Sequence, residues 1–331
     1  MRIHPRPLFA LPAAAVLLAA AACGTTEPGG ETGDDGTASG EAGPVSVTDA
    51  TGATIELDAP AENVVALEWA EAELVASLGV MPTGVADVEG YATWVGASIA
   101  LDDTVTDVGT RQEPSVDSIA ALSPDLVIME SDDEALIDSI SEFAPVLVAE
   151  GASEEDNLGR MKSDLDMIAT LLGKTDEAEE LWGEFEAAID QTRAAIEAAG
   201  TQDIPYLWVD GWEEGGTVAL RMFGPTSLVG SLATEIGLTN AWDGETDGQW
   251  GLGQNDIEGM AEYADTDLRL IYNDSDGTGP FAETLPANDI WSNLRFVQEG
   301  HTYKLTEGAW TFGGLASSEV LLDFFAEVYT S

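Results

Sequence analysis

One long helical stretch, from about Glu155 to Ala199, separates two runs in which short apolar strands alternate with amphipathic segments. Gly173 breaks that stretch in two. Its first half places Leu158, Met161, Leu165, Ile168 and Leu172 on one face at helical spacing. A chain built this way is expected to fold as two α/β lobes joined by a single long helix, with mainly parallel sheets. The expected divisions are an N-terminal lobe over 44–154, a connecting helix over 155–173 and a C-terminal lobe over 174–331. A cleft between two lobes is a favoured ligand site.

Within the first lobe, Val45–Asp49 and Thr54–Leu57 flank a turn at Thr51-Gly52. Val64–Leu67, Leu126–Met129 and Val146–Ala149 read as strands; Glu71–Leu78 and Asp133–Phe143 read as helices. In the second lobe, Ile204–Val209, Val218–Met222, Leu268–Tyr272 and Thr302–Leu305 are expected strands. Ser227–Ile236 and Ser318–Tyr329 are expected helices.

Ahead of these lobes, Arg2 and Arg6 precede an apolar run from Leu8 to Ala22 that ends in small residues before Cys23. That is the pattern of a secretory signal, too short for a stable membrane span. A lone cysteine cannot form a disulfide framework. Its position resembles a bacterial lipoprotein cleavage site: signal peptide 1–22, then Cys23 as the lipidated first residue. Ala20 departs from that pattern, which more often has Leu. Residues 23–43 lack apolar periodicity and are rich in Gly, Thr and acids, the composition of a tether spanning on the order of 25 Å. The protein is expected to be secreted and held at the outer face of the cell membrane.

The formal net charge of the 331 residues is -51, from 11 basic and 62 acidic side chains. Such a surface excludes nucleic acid as a partner, because phosphate binding needs basic patches. It also repels anionic lipid. Salt screens the self-repulsion, with a Debye length of about 8 Å at physiological strength, so a saline habitat suits the chain.

Catalysis lacks its usual parts. Of two histidines, His4 lies in the signal and His301 sits at a turn into a strand, so neither a histidine triad nor a multi-histidine metal site can form. Gly224-Pro225-Thr226-Ser227 is neither a nucleophile elbow nor a phosphate loop. Among 62 acids some accidental carboxylate pairs are certain, which leaves a glycoside hydrolase formally open. The chain is read as a binding protein, not an enzyme. Tryptophan stands out instead. Trp94, Trp212, Trp242, Trp250 and Trp310 lie beside Gly and polar residues in loop-like contexts, while Trp69, Trp182, Trp208 and Trp291 sit among apolar neighbours and read as core. Tryptophan joins a large flat surface to one N–H donor, which suits a bulky, partly apolar ligand.

Three stretches of the first lobe, VVALEWAEAELVASLGVMPTGVAD, YATWVG and DVGTRQEPSVDSIAALSPDLVI, resemble ferric-siderophore-binding lipoproteins, and most of all the ferric-hydroxamate binders. MFGPTSLVGSLATEIGLTNAWDGETDGQWG and EGAWTFGG are similar to that family's second lobe. The resemblance covers roughly residues 45–330. It implies a class III periplasmic-binding-protein fold: two lobes on a rigid helical backbone, a shallow cleft and little hinge motion. It implies no enzymatic cofactor and no protein metal ligand, since the siderophore itself holds the iron. Arg111 matches the family arginine that meets the iron-bound hydroxamate oxygens, and a guanidinium fork suits such oxygens. Trp94 is implied on the N-lobe side of the cleft; Trp242, Asp247 and Trp250 on the C-lobe side. Asp247 stands where hydroxamate binders show asparagine, with one extra residue before Trp250. Trp310 and Phe312 match an aromatic pair whose second member is usually tyrosine. A tyrosine expected near Ser131–Asp133 has no counterpart. Arg221, without a family match, faces either cleft or solvent by strand alternation.

Related importers use a carboxylate on each lobe to meet permease arginines, and Asp117 and Glu258 match those positions. Each is also an ordinary helix-start carboxylate. The implied partners are a ferric siderophore and an ABC importer permease, with the protein itself a monomer. Other bulky ligands stay open: a corrinoid, a catecholate siderophore, or haem held through Tyr91 or Tyr272. So does a surface sensor of the same fold.

Overall fold

The computed structural model describes residues 43–130 and 133–331. The signal at 1–22, Cys23, the linker up to residue 42, and Ser131-Asp132 lie outside the described residues. The first elements are β1 (Val45–Thr48) and β2 (Thr54–Leu57), an antiparallel hairpin with Val45 opposite Leu57. Asp49 sets its turn, because Oδ1 accepts the N–H groups of Thr51 and Ala53, both at 2.9 Å.

Next come β3 (Val64–Ala66), α1 (Trp69–Ser77), β4 (Gly84–Val85), α2 (Val88–Trp94) and β5 (Thr106–Asp107). After them follow α3 (Val116–Ala121), β6 (Leu126–Met129), α4 (Glu134–Ser141) and β7 (Val146–Val148). The five strands form a wholly parallel sheet in the order β5-β4-β3-β6-β7. β3, β6 and β7 are buried throughout, as strands covered on both faces must be. β4 and β5 have two residues each, too few for a readable pattern, and exist because their neighbours offer ladder partners.

The long helical stretch is α5 (Asn157–Leu172) followed by α6 (Thr175–Ala199). Gly173 separates them at φ +65°, and the Lys174 N–H reaches back to the Ala169 carbonyl at 2.7 Å. That is a Schellman ending, which a residue with a Cβ adopts only under strain. α5 packs on α1 and β1 on one side and on α7 (Leu228–Glu235) on the other, so it bridges the lobes.

The second sheet is less regular than expected. β8 (Tyr206–Glu214) and β9 (Thr217–Phe223) form a hairpin whose two-residue turn, Gly215-Gly216, has φ of +59° and +86°. Paired glycines with positive φ match the twist of a tight hairpin. β9 pairs antiparallel with β10 (Leu252–Asp256). β11 (Arg269–Tyr272) and β12 (Thr302–Lys304) continue the sheet in parallel, in the order β10-β9-β8-β11-β12. The expectation of a mainly parallel sheet therefore fails here. β8 runs on past Val209 because β9 supplies partners to Glu214, which carries Trp212 out to solvent. A 3₁₀ turn at Gly259–Tyr263 and the single-turn helices α8 (Asp289–Ser292) and α9 (Arg295–Gln298) line the connections. The last helix is α10 (Leu315–Thr330).

One continuous core gathers apolar side chains from the hairpin, both sheets, and helices α1, α5, α6, α7 and α10. Trp208 and Tyr206 are fully buried there against Phe325, with ring centroids 5.2 Å and 5.5 Å away. Each such side chain contributes about 1.5–3 kcal/mol relative to exposure. Polar groups fasten the lobes as well. Asn157 donates from Nδ2 to the Thr226 carbonyl at 2.6 Å, and Glu154 accepts from the hydroxyls of Thr226 and Thr246. On the far side Glu73 of α1 accepts the Ser317 N–H at 2.6 Å and the Ser317 hydroxyl at 2.5 Å.

Candidate functional site

A cavity of about 320 Å³ opens between the lobes. Glu68, Ala70, Arg111 and Glu130 line it from the first lobe. Glu68, Glu130 and Arg111 follow shortly after the carboxyl ends of β3, β6 and β5. Open α/β sheets commonly bind ligands beyond those ends, where loops replace strands. Arg221, Trp250 and Leu252 face them from the second lobe, and Trp310 and Phe312 close the rim ahead of α10.

Arg111 is held from two sides. Its Nε donates to Glu68 Oε2 at 2.6 Å, and its guanidinium carbon lies 4.3 Å from the Trp69 ring centroid and 5.6 Å from that of Trp310. Trp69 is itself fixed, its indole N–H donating to the Ala86 carbonyl at 3.0 Å. Both Nη groups of Arg111 make no protein hydrogen bond among the described residues.

Arg221 mirrors this arrangement from a strand. On β9, Val218, Leu220 and Met222 enter the outer core of the second sheet, which turns Ala219, Arg221 and Phe223 the other way. Alternation thus sends Arg221 to the cleft. It stands directly opposite Asp210 in the β8–β9 ladder, with Nε 3.0 Å from Oδ1 and Nη2 closing the second bond to Oδ2. Its guanidinium carbon lies 5.0 Å from the Phe312 ring centroid. Phe312 meets Trp250 edge-on at 5.7 Å and Trp310 at 5.0 Å, and Trp310 meets Trp69 at 5.0 Å. Five residues singled out from sequence, Arg111, Arg221, Trp250, Trp310 and Phe312, therefore meet around one space.

Three others stand behind it. Trp94, at the end of α2, packs edge-on to Trp310 at 6.4 Å and supports that ring instead of lining the cavity. Trp242 is buried in the outer core of the second sheet, between Gly244 and Gly253, where any Cβ would strike its ring. Its loop-like sequence context concealed a core position. Asp247 turns its carboxylate onto backbone: Oδ1 accepts the N–H groups of Gln249 at 3.0 Å, Trp250 at 2.8 Å and Gly251 at 3.0 Å. It sets the path of the chain that presents Trp250. An asparagine oxygen would accept the same bonds. The two tyrosines that left haem open are likewise used elsewhere. Tyr91 is buried with its hydroxyl donating to the Ile99 carbonyl at 3.0 Å, and Tyr272 stacks on Phe281 at 4.3 Å. Among the described residues no His, Tyr or Cys lines the cavity.

Sequence reading missed the acids. Glu68, Glu130 and Asp210 look like three among many carboxylates, yet each sits at or just after the end of a buried strand segment, and that was the available signal. Beneath the first-lobe wall lie more. Glu71 is fully buried, and Arg160 Nη1 meets Asp164 Oδ2 at 3.2 Å with both side chains enclosed. Burial, with the charges of Glu130 and Asp164 added, holds the Glu71 carboxyl well above its ordinary range. Burial, then the charge of Glu68, pushes Glu130 up to about 7. Both carboxylate oxygens of Glu71 are buried with no hydrogen-bond partner among the described residues. Gly151, at φ +75°, gives Glu130 room, since a Cβ there would lie 2.6 Å from Oε2. Burial also raises Glu68 and Asp210, against the lowering effect of Arg111 and Arg221.

Residues 64–309 match the family described as periplasmic binding protein. The chain belongs to that family. The ferric-hydroxamate-binding protein FhuD of Escherichia coli is 27% identical over 256 residues, spanning 77% of this chain and 83% of that one. The Fe(3+)-citrate-binding protein YfmC of Bacillus subtilis is also 27% identical, over 274 residues and 81% of each chain. The crystal structure of FhuD from Vibrio cholerae bound to Fe3+-Desferal superposes with a TM-score of 0.71 at 25% identity, covering 82% of this chain and 98% of that one. As a periplasmic binding protein the chain has a transport role, not a catalytic one. Asp117, in the first turn of α3, and Glu258, capping the 3₁₀ turn, are both exposed, one on each lobe. An exposed Asp267–Glu299–His301 group has the acids of a metal site, but Arg295 already bridges Asp267 and Glu299 at 3.0 Å each. No helix among the described residues is long and apolar enough to cross a membrane.

Proposed function

We propose that this protein captures a ferric siderophore of the hydroxamate type outside the cytoplasm and hands it to an ABC importer. The observation that carries the reading is the cavity itself: two guanidiniums facing each other across a space walled by Trp250, Trp310 and Phe312. A ferric hydroxamate offers a ring of partly negative chelate oxygens on an organic body. Arg111 would meet those oxygens through its two Nη groups, and the aromatic rings would cover the body. Iron stays with the siderophore, so no protein ligand to the metal and no bond-making step is needed.

In this reading residues 1–22 are a signal peptide, Cys23 carries lipid, and residues 23–43 tether the two lobes and connecting helix (44–154, 155–173 and 174–331) to the membrane's outer face. Asp117 and Glu258 would dock on permease arginines, with one protein copy per engagement. Relatives named for FhuD support the ligand class, and the exposure of both carboxylates is compatible with docking.

Three tryptophans at or against the cavity (Trp69, Trp250 and Trp310) make fluorescence a direct test. Titration with cyclic and linear ferric hydroxamates is expected to give saturable quenching at micromolar concentration or below. Arg111→Ala is expected to weaken binding at least about tenfold, about 1.4 kcal/mol. Folded protein that responds to no ferric hydroxamate would end the reading; unchanged affinity in Arg111→Ala would remove Arg111 from the site.

A further inference from the structure

Relatives are named for ligands as different as hydroxamates and citrate, so likeness alone leaves open which ferric complexes enter. The charges of the cavity bear on that question, given the function proposed above. Both arginines that face the space are already answered by acids. Arg111 is paired with Glu68 and Arg221 with Asp210, in each case through Nε at 3.0 Å or less. Glu130 adds a third carboxyl to the lining and has no ion-pair partner among the described residues, the enclosed Arg160, already paired with Asp164, acting on it only through its field. Two guanidiniums thus stand against three carboxyls. With Glu130 ionised the wall is net negative, and with it protonated the wall is neutral.

We infer that Glu68, Asp210 and Glu130 are charge-selecting residues, which restrict the cleft to ferric complexes of zero or positive net charge. The arginines keep their geometry as donors to chelate oxygens but bring no surplus charge. An anionic complex entering such a space meets carboxylates across low-dielectric walls, where charges act more strongly than in water. A complex carrying an ammonium gains a partner in Glu130.

The test needs ligands that share one iron centre and differ only in charge. A linear ferric trihydroxamate with a free primary amine carries +1; acetylating the amine gives 0, and succinylating it gives −1. A ferric tris-catecholate extends the series to −3. Fluorescence titration of the wild-type protein is expected to show the amine and acetyl forms bound more than tenfold tighter than the succinyl form, with no binding of the catecholate. The ranking is expected to persist at about 1 M salt, where the field of the whole acidic surface is screened to about 3 Å. Glu68→Gln/Asp210→Asn, isosteric changes that free both guanidiniums, is expected to reduce the amine-to-succinyl ratio at least tenfold. Glu130→Gln is expected to lower affinity for the amine form alone. Asp176→Asn, an exposed change on α6, serves as the control and is expected to leave the ratio unchanged.

Equal affinity across the wild-type series, or a preference that vanishes in high salt, would overturn the inference while leaving siderophore binding in place. A ratio unmoved in the folded double variant would also overturn it. Absence of binding to every hydroxamate would instead remove the function on which it rests.

Discussion

The two walls of the cleft carry the same chemistry on different foundations. On the second lobe Arg221 is placed by a strand register: its opposite number in the ladder, Asp210, is fixed by backbone pairing, and the layer behind is hydrocarbon around Trp242 and Leu220. On the first lobe Arg111 is placed by a loop, and the layer behind Glu68 and Glu130 holds Glu71, Arg160 and Asp164, all enclosed. A ladder positions a side chain at little electrostatic cost. The loop wall instead rests on the enclosed Arg160–Asp164 pair, so the first lobe is the more sensitive to a single charge removed.

The strongest test of that contrast is a pair of stability measurements. Arg160→Met strands Asp164 beneath the first wall and is expected to destabilise the protein by about 3–5 kcal/mol, whereas Arg160→Met with Asp164→Leu is expected to recover most of the loss. Trp242→Ala, behind the second wall, is expected to lose about 3–5 kcal/mol through its cavity, with no charge change able to restore it. Urea midpoints compare the three. Equal losses for Arg160→Met alone and the double change would erase the distinction between the walls.

A smaller effect concerns pH. Burial raises Glu73 from 4.5 to about 7, against the lowering effect of its bonds from Ser317. Between those values the folded chain keeps a proton that the unfolded chain has released. The contribution of Glu73 is therefore fully present below about pH 4.5 and is lost as pH rises through about 7. Urea unfolding of wild type at pH 5 and pH 8 is expected to show greater stability at the lower value, and Glu73→Gln is expected to shrink the difference, the raised carboxyls of Glu71 and Glu130 keeping the remainder. An identical slope in the variant would show that the other acids, Glu71 and Glu130 among them, and not this seam, set the trend.

The smallest expected effect separates geometry from charge at the second wall. Asp247→Asn keeps an acceptor for the backbone N–H groups of residues 249 to 252 and is expected to change stability by less than about 0.5 kcal/mol, with siderophore affinity unaltered. Asp247→Ala removes the acceptor and is expected to lose about 1 kcal/mol and weaken binding through Trp250. If the asparagine variant bound differently, Asp247 would belong to the ligand surface after all.

Local pattern carried much of the architecture. Helical spacing over Leu158–Leu172 and the break at Gly173 located α5 and its end, because a 3.6-residue period and a positive-φ position are written in neighbouring residues. The buried strands at Val64 and Leu126 were legible for the same reason, and motif likeness picked out Arg111, Trp250, Trp310 and Phe312. What neighbouring residues could not convey was pairing across the chain. β4, β5 and β10 are strands because other strands lie beside them, and the antiparallel half of the second sheet follows from a hairpin only its register reveals. Burial was decided in the same way, since Trp242 reads as a loop residue until Gly244 and Gly253 close around it. Sequence determined that two α/β lobes would face each other with arginine and tryptophan between them. Only tertiary structure decided which acids stand opposite which arginines, because a carboxylate's role depends on the dielectric and the partner it meets, and both are set by residues distant in the chain.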